Sequence, residues 1–175
     1  HHRAKNIRTM AGDGENIMPK EKMNIVVFSG DMDKVLAAFI IATTAAAMGM
    51  EVNMFFTFWG LNVLRKKKFT SGKNILQKMM NALNRGGAAR LGLSRFNMLG
   101  LGPAVMKTMM KRSKMPSLPE MVQTAKSLGV RFTACTTTFS FMGFSKDDFI
   151  DGVDAYAGAA TFLGEVMDGR VSYFI

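Results

Sequence analysis

Cysteine and histidine are almost missing from this chain. Of its 175 residues one is cysteine, Cys135, and two are histidine, His1 and His2. The histidine pair reads as the stub of a purification tag and carries no functional weight. Without another His or thiol there is no neutral donor set for zinc or haem, no Cys–His couple and no histidine general base. No metal and no cofactor is expected. A lone thiol makes no internal disulfide, so an oxidising compartment is not needed and a cytoplasmic protein is expected. Long apolar runs are lacking too. The longest, Val35–Met50, is interrupted by Thr43 and Thr44 and falls short of the roughly 20 residues that span a bilayer. Ser29-Gly30-Asp31 has neither the glycine spacing nor the Lys-Ser/Thr ending of a phosphate loop.

Acidic residues are absent from one long stretch. Residues 61–115 hold thirteen basic side chains and no acidic one, whereas residues 1–60 hold six of each and residues 116–175 hold four basic and seven acidic. The net charge of +10 therefore belongs to the middle of the chain. Only Phe69 and Phe96 offer stacking surfaces there, so nucleic acid is not an expected partner. Met residues alternate with Lys and Arg over 105–115. Besides a solvated face, this pattern suits peripheral contact with an anionic membrane or an acidic partner through 65–115.

What is present points to one α/β domain. With 48% hydrophobic and 21% charged residues, the chain can bury a single core of ordinary size. Residues 1–22 read as a flexible leader with the tag remnant, and 23–175 as the domain. Residues 24–28 form a β-branched apolar run ending in the Ser29-Gly30-Asp31 turn, as a buried strand of a parallel sheet does. A helix follows over 34–48, capped by Asp31 or Asp33 and ended by Gly49. A second strand covers 51–56, then a short helix carries Trp59, Leu61 and Leu64. Residues 67–115, rich in Gly and Met, break the alternation and read as a basic, Met-rich insertion or lid, with helices near 73–84 and 103–113. Ser117, Pro119 and Glu120 start a helix that runs to Leu128. A third strand spans 130–134, a helical turn 136–142, a short helix holds Asp147 and Asp148, a short strand lies at 152–153, a helix covers 156–167 and a last strand 171–175. The expectation is a four- or five-stranded, mostly parallel sheet with helices on both faces.

Ligands of open parallel sheets bind beyond the carboxyl ends of the strands. Cys135, the Ser29-Gly30-Asp31 turn and the Thr57-Phe58-Trp59 turn all fall at such ends, so three loops converge there. A helix start after Cys135 places unpaired N–H groups near its sulfur and favours thiolate over thiol. Thr136, Thr137 and Thr138 add hydroxyls. The candidate site is thus Cys135 with Ser29, Gly30, Asp31, Phe58, Trp59 and Thr136–Thr138 as pocket lining. A buried cysteine that only packs is the other reading of the same residues. The acidic residues Asp147, Asp148, Asp151 and Asp154 lack calcium-loop spacing and read as a solvated face.

The blocks Val26-Val27-Phe28-Ser29-Gly30-Asp31-Met32-Asp33-Lys34 and Met54-Phe55-Phe56-Thr57-Phe58-Trp59-Gly60-Leu61 resemble the opening of the DsrE/DsrF-like family, in its stand-alone sulfurtransferase-like or peroxiredoxin-like branch. Ala134-Cys135-Thr136-Thr137-Thr138, Met142-Gly143 and Asp151-Gly152-Val153 are similar to the same branch. The resemblance implies a flavodoxin-like three-layer αβα fold, a homo-oligomer, and a cysteine, here Cys135, that relays sulfane sulfur as a persulfide between donor and acceptor. Two other readings stand beside this one. The first is a non-catalytic oligomeric module that binds a small ligand or partner. The second is a thiol peroxidase or reductase accessory, which needs an outside reductant because no resolving thiol is present.

Overall fold

The computed structural model describes residues 21–66, 72–84, 86–167, 169 and 171–175. The expected leader and tag remnant, up to residue 20, lie outside these, as do Lys67, Lys68 and Phe69. In chain order the regular elements are β1 (Lys22–Val27), α1 (Met32–Ala47), β2 (Glu51–Phe56), α2 (Ile75–Leu83), α3 (Leu101–Arg112), α4 (Leu118–Ser127), β3 (Arg131–Cys135), α5 (Thr136–Met142), β4 (Ala155–Ala157), α6 (Ala159–Val166) and β5 (Val171–Phe174). A seven-residue 3-10 helix, Phe58–Leu64, follows β2. Among the described residues no helix is long and apolar enough to cross a membrane.

The five strands form one sheet in the order β4-β3-β2-β1-β5, and every pairing is parallel. The chain steps outward from β1 to β4 and then crosses the whole sheet to add β5 beside β1. Reversing the step while keeping right-handed crossovers places α6 on the face opposite α1 and α4. The period of two along each strand divides the side chains accordingly. Ile25, Val27, Val52, Met54, Phe56, Phe132 and Ala134 enter the main core under α1 and α4. Phe55 and Cys135 point to the other face, where Phe162 of α6 meets them.

The main core is packed around three rings. Phe39 of α1 meets Phe132 edge-on at 5.8 Å, and Phe132 meets Phe56 edge-on at 5.4 Å, the geometry aromatic quadrupoles favour. Thr43 and Thr44 sit mid-helix in α1 because their hydroxyls donate to the carbonyls of Phe39 and Ile40. At the start of α4 the Glu120 carboxylate accepts from both the N–H and the hydroxyl of Ser117, at 2.6 and 2.7 Å, which realises the expected capping pair.

Several expectations are corrected. The short strand expected at 152–153 is Ala155–Ala157, and the helix after it starts at Ala159; pairing with β3 in register Thr133–Ala155 holds those residues extended. Asp31 has the backbone of a helix cap but makes no capping bond. Its carboxylate accepts instead from Ser29 Oγ and Lys34 Nζ, while the Met32 N–H donates to the carbonyl of Gly92 at 2.6 Å. Asp33 accepts from the N–H and hydroxyl of Ser94, so the 92–94 loop closes the start of α1. Arg65, counted in the basic surface run, is only 2% exposed. Its guanidinium lies 4.4 Å from the Phe144 ring centre and donates to Asn62 Oδ1. Asp148, expected on a solvated face, is buried and accepts from Ser145.

Candidate functional site

Cys135 is the last residue of β3 and the residue before α5. That junction turns the chain from extended to helical, so the first N–H groups of α5 have no partner within the helix and face back toward the cysteine. The Thr138 hydroxyl donates to Cys135 Sγ at 3.7 Å. Thr57, one residue beyond β2, shares a hydrogen bond with Thr138, Oγ1 to Oγ1 at 3.0 Å. Gly143, at φ +70°, ends α5 in a left-handed turn.

The thiol is 5% exposed. Burial alone pushes it up. The N–H of Thr138, the hydroxyls of Thr57 and Thr138 and the N–H of Thr137 together outweigh that penalty and hold the thiol below its ordinary value. The balance comes from neutral donors alone. Chemically, such a sulfur is a thiolate over more of the pH scale than a free cysteine, and it is the thiolate that attacks.

Phe55 and Phe162 close the outer side. Their rings stack at 4.3 Å with 18° between planes and form one apolar cluster with Cys135. α6 is anchored beside them by Glu165, which accepts from Asn53 Nδ2 at 3.0 Å and pairs with Arg131 at 3.4 Å. Cys135 is thus packed on the α6 side of the sheet.

The residues singled out by sequence divide into two groups. Thr136, Thr137 and Thr138 stand with Cys135. Ser29, Gly30, Asp31 and Trp59 instead line a cavity of about 930 Å³ together with Arg90, Leu99 and Lys107 from the middle segment. Cys135 and the three threonines do not line it. Two close approaches fix the backbone on either side of Trp59. A side chain on Gly30 would meet the carbonyl of Trp59 at 2.7 Å, and one on Gly60 would meet that of Val27 at 2.0 Å. Phe58 is held at φ +45°, an uncommon backbone for a bulky residue, with its ring 5.2 Å from that of Phe28.

Two residues beside the thiol escape sequence reasoning, and a third is read without its role. Thr57 is placed in a converging strand-end turn, but not as a donor to the sulfur. Phe55 was visible as the odd member of an alternating core strand. Phe162 had no local signal, because its role depends on where α6 crosses the sheet. Among the described residues no group of three or more His, Cys, Asp or Glu side chains is placed to hold a metal ion.

The family model described as the DsrE/DsrF/DrsH-like family matches residues 19–174. The chain belongs to this family. Within it, the sulfur carrier protein DsrE2 of Allochromatium vinosum is 37% identical over 161 residues, covering 90% of this chain and 100% of that protein. The uncharacterized protein YrkE of Bacillus subtilis is 41% identical over 156 residues, covering 89% of this chain and 97% of YrkE. Among solved structures, the MTH1491 protein of Methanobacterium thermoautotrophicum superposes with a TM-score of 0.52 at 15% identity, covering 88% of this chain and 97% of that one. That likeness concerns the fold. The DsrE-type α/β architecture expected from the sequence blocks is thus present.

Proposed function

We propose that this DsrE-family protein relays sulfane sulfur as a persulfide on Cys135. The observation that carries the reading is the single thiol at the β3–α5 junction, lowered by two backbone N–H groups and two hydroxyls rather than by a cation. Those donors are neutral and fixed, so they serve the thiolate and the persulfide anion alike. The thiol first loses its proton to solvent. The thiolate then attacks the outer sulfur of a donor R–S–S⁻, forming Cys135–S–S⁻ and releasing RS⁻. An acceptor thiolate next attacks the outer sulfur, and the Cys135 thiolate leaves. One sulfur atom moves at each step and no net electrons are exchanged. The partners are a sulfur donor and a sulfur acceptor, either proteins or small sulfane compounds, and the work is placed in the cytoplasm.

Assembly as a homo-oligomer fits the exposed apolar side chains around the α6 face, including Phe28, Leu163, Met167 and Phe174. The test is intact-mass analysis after incubation with thiosulfate or a polysulfide. A one-sulfur adduct that disappears in Cys135→Ala is the expected result; no adduct with any donor overturns the reading. One observation favours a second reading. The 930 Å³ cavity that Cys135 does not line suits a small-ligand module with Cys135 as packing, and ligand binding undiminished in Cys135→Ala without any sulfur adduct is its signature.

A further inference from the structure

The middle segment contradicts the usual rule that a charged surface keeps its large apolar side chains inside. Between residues 72 and 115 the described chain carries eight cations and no acidic residue. The same stretch exposes nine large apolar side chains: Ile75, Leu76 and Met79 on α2, Phe96, Met98 and Leu99 in the loop before α3, and Leu101, Val105 and Met109 on α3.

Their arrangement is ordered. Leu101, Val105 and Met109 recur every four residues and so form one stripe along α3. Pro103 and Met110 of the same helix are buried against the fold, on a different side of it. α3 therefore has two apolar faces, of which the fold uses one. The spacing of Ile75, Leu76 and Met79 likewise keeps them on one side of α2. The loop between is unusual in its backbone. Phe96, Met98 and Leu99 have φ of +56°, +37° and +56°, a region bulky residues rarely adopt, and all three side chains stand in solvent. Around them Arg95, Lys107, Lys111, Arg112 and Lys114 are exposed.

We infer that this segment is a peripheral membrane-docking surface that seats on a bilayer rich in anionic lipid. Two features select a bilayer over a folded acidic protein. The exposed apolar groups are mainly aliphatic and are flanked by lysine, which protein interfaces disfavour and headgroup layers attract. No acidic residue lies within 72–115 itself, so its eight described cations outnumber the three carboxylates packed beside it, Asp31, Asp33 and Glu120. Lys and Arg can also lay their stems along the apolar groups while their heads stay in the headgroup layer. Docking is peripheral, since no described helix is long and apolar enough to span. The inference does not depend on the sulfur-relay reading.

The test is co-sedimentation of the full chain with phosphatidylcholine vesicles, with and without phosphatidylglycerol, at low and high salt. The protein should pellet with the anionic vesicles at low salt and at least about tenfold less with the neutral ones, and high salt should release it. Phe96→Ser with Leu99→Ser, and Lys107→Ala with Lys111→Ala and Arg112→Ala, should each reduce binding at least about tenfold. All five side chains are exposed, so an unchanged circular dichroism spectrum is expected and checks the fold. Failure to pellet with anionic vesicles at low salt overturns the inference, as does parental binding by either variant. It is also overturned if the Phe96/Leu99 variant only dissolves an oligomer, because a second copy of the chain is then the occupant.

Discussion

Removing the Phe162 ring should open Cys135 to reagents. The ring is 6% exposed and stacks on Phe55 at 4.3 Å, in one apolar cluster with Cys135. Full burial of a phenylalanine contributes about 1.5–3 kcal/mol, and a stacked pair adds about 0.5–1.5 kcal/mol. Phe→Ala in a closed core costs about 3–5 kcal/mol. Here the ring belongs to a surface helix and solvent can enter the space, so we expect Phe162→Ala to cost about 2–3 kcal/mol. In the parent, a reagent reaches Sγ after that contact is broken locally. At about 1.4 kcal/mol per tenfold, its loss should raise the modification rate by about 30- to 150-fold. The assay is the rate of Cys135 reaction with a disulfide reagent in excess, under conditions where both proteins stay folded by circular dichroism. Leu163→Ala is the control, since Leu163 is on the same helix and exposed. An unchanged rate in Phe162→Ala, or an equal increase in Leu163→Ala, would refute the view that α6 covers the thiol through this ring.

Two further outcomes follow from the same geometry. Thr57→Val and Thr138→Val should each raise the pH midpoint of thiolate absorbance, read against Cys135→Ala to remove the tyrosine signal; an unmoved midpoint in both would mean the hydroxyls do not face the sulfur. The parent thiol is lowered on folding, so its ionisation stabilises the fold fully above the unfolded thiol value of about 8.5, and that gain is lost as pH falls through the lowered value. Gly60→Ala should destabilise by about 3 kcal/mol or more, because its Cβ would sit 2.0 Å from the Val27 carbonyl oxygen. Gly164→Ala, with nothing within 4 Å in the interior of α6, should stabilise by about 0.5–1 kcal/mol, and denaturant midpoints distinguish the two.

Local patterns in the sequence were enough to find most of the elements. Short runs rich in β-branched or aromatic residues give strands at 22–27, 51–56 and 131–135, and the Ser117–Glu120 pair marks the start of α4. Those signals are local, so they survive without knowledge of the fold. The strand at 155–157 was misplaced by a few residues because an edge strand of three residues has almost no pattern of its own. Its conformation comes from pairing with β3. Arg65 was read as surface because a run of four basic residues ordinarily is. The structure buries it between Phe144 and Asn62, contacts with no local trace.

For the thiol, the sequence by itself determined that Cys135 has no second cysteine in the chain to pair with, and that a helix starts directly after it. Composition and chain order are sufficient for both. The tertiary structure decided which face of the sheet the sulfur takes, that Thr57, one residue beyond a neighbouring strand, completes its donors, and that Phe162 joins its apolar cluster. It also separated Ser29, Gly30, Asp31 and Trp59 into a cavity of their own. Strand order and crossover direction bring residues 57, 135 and 162 together, and neither quantity is written in any short window of the chain.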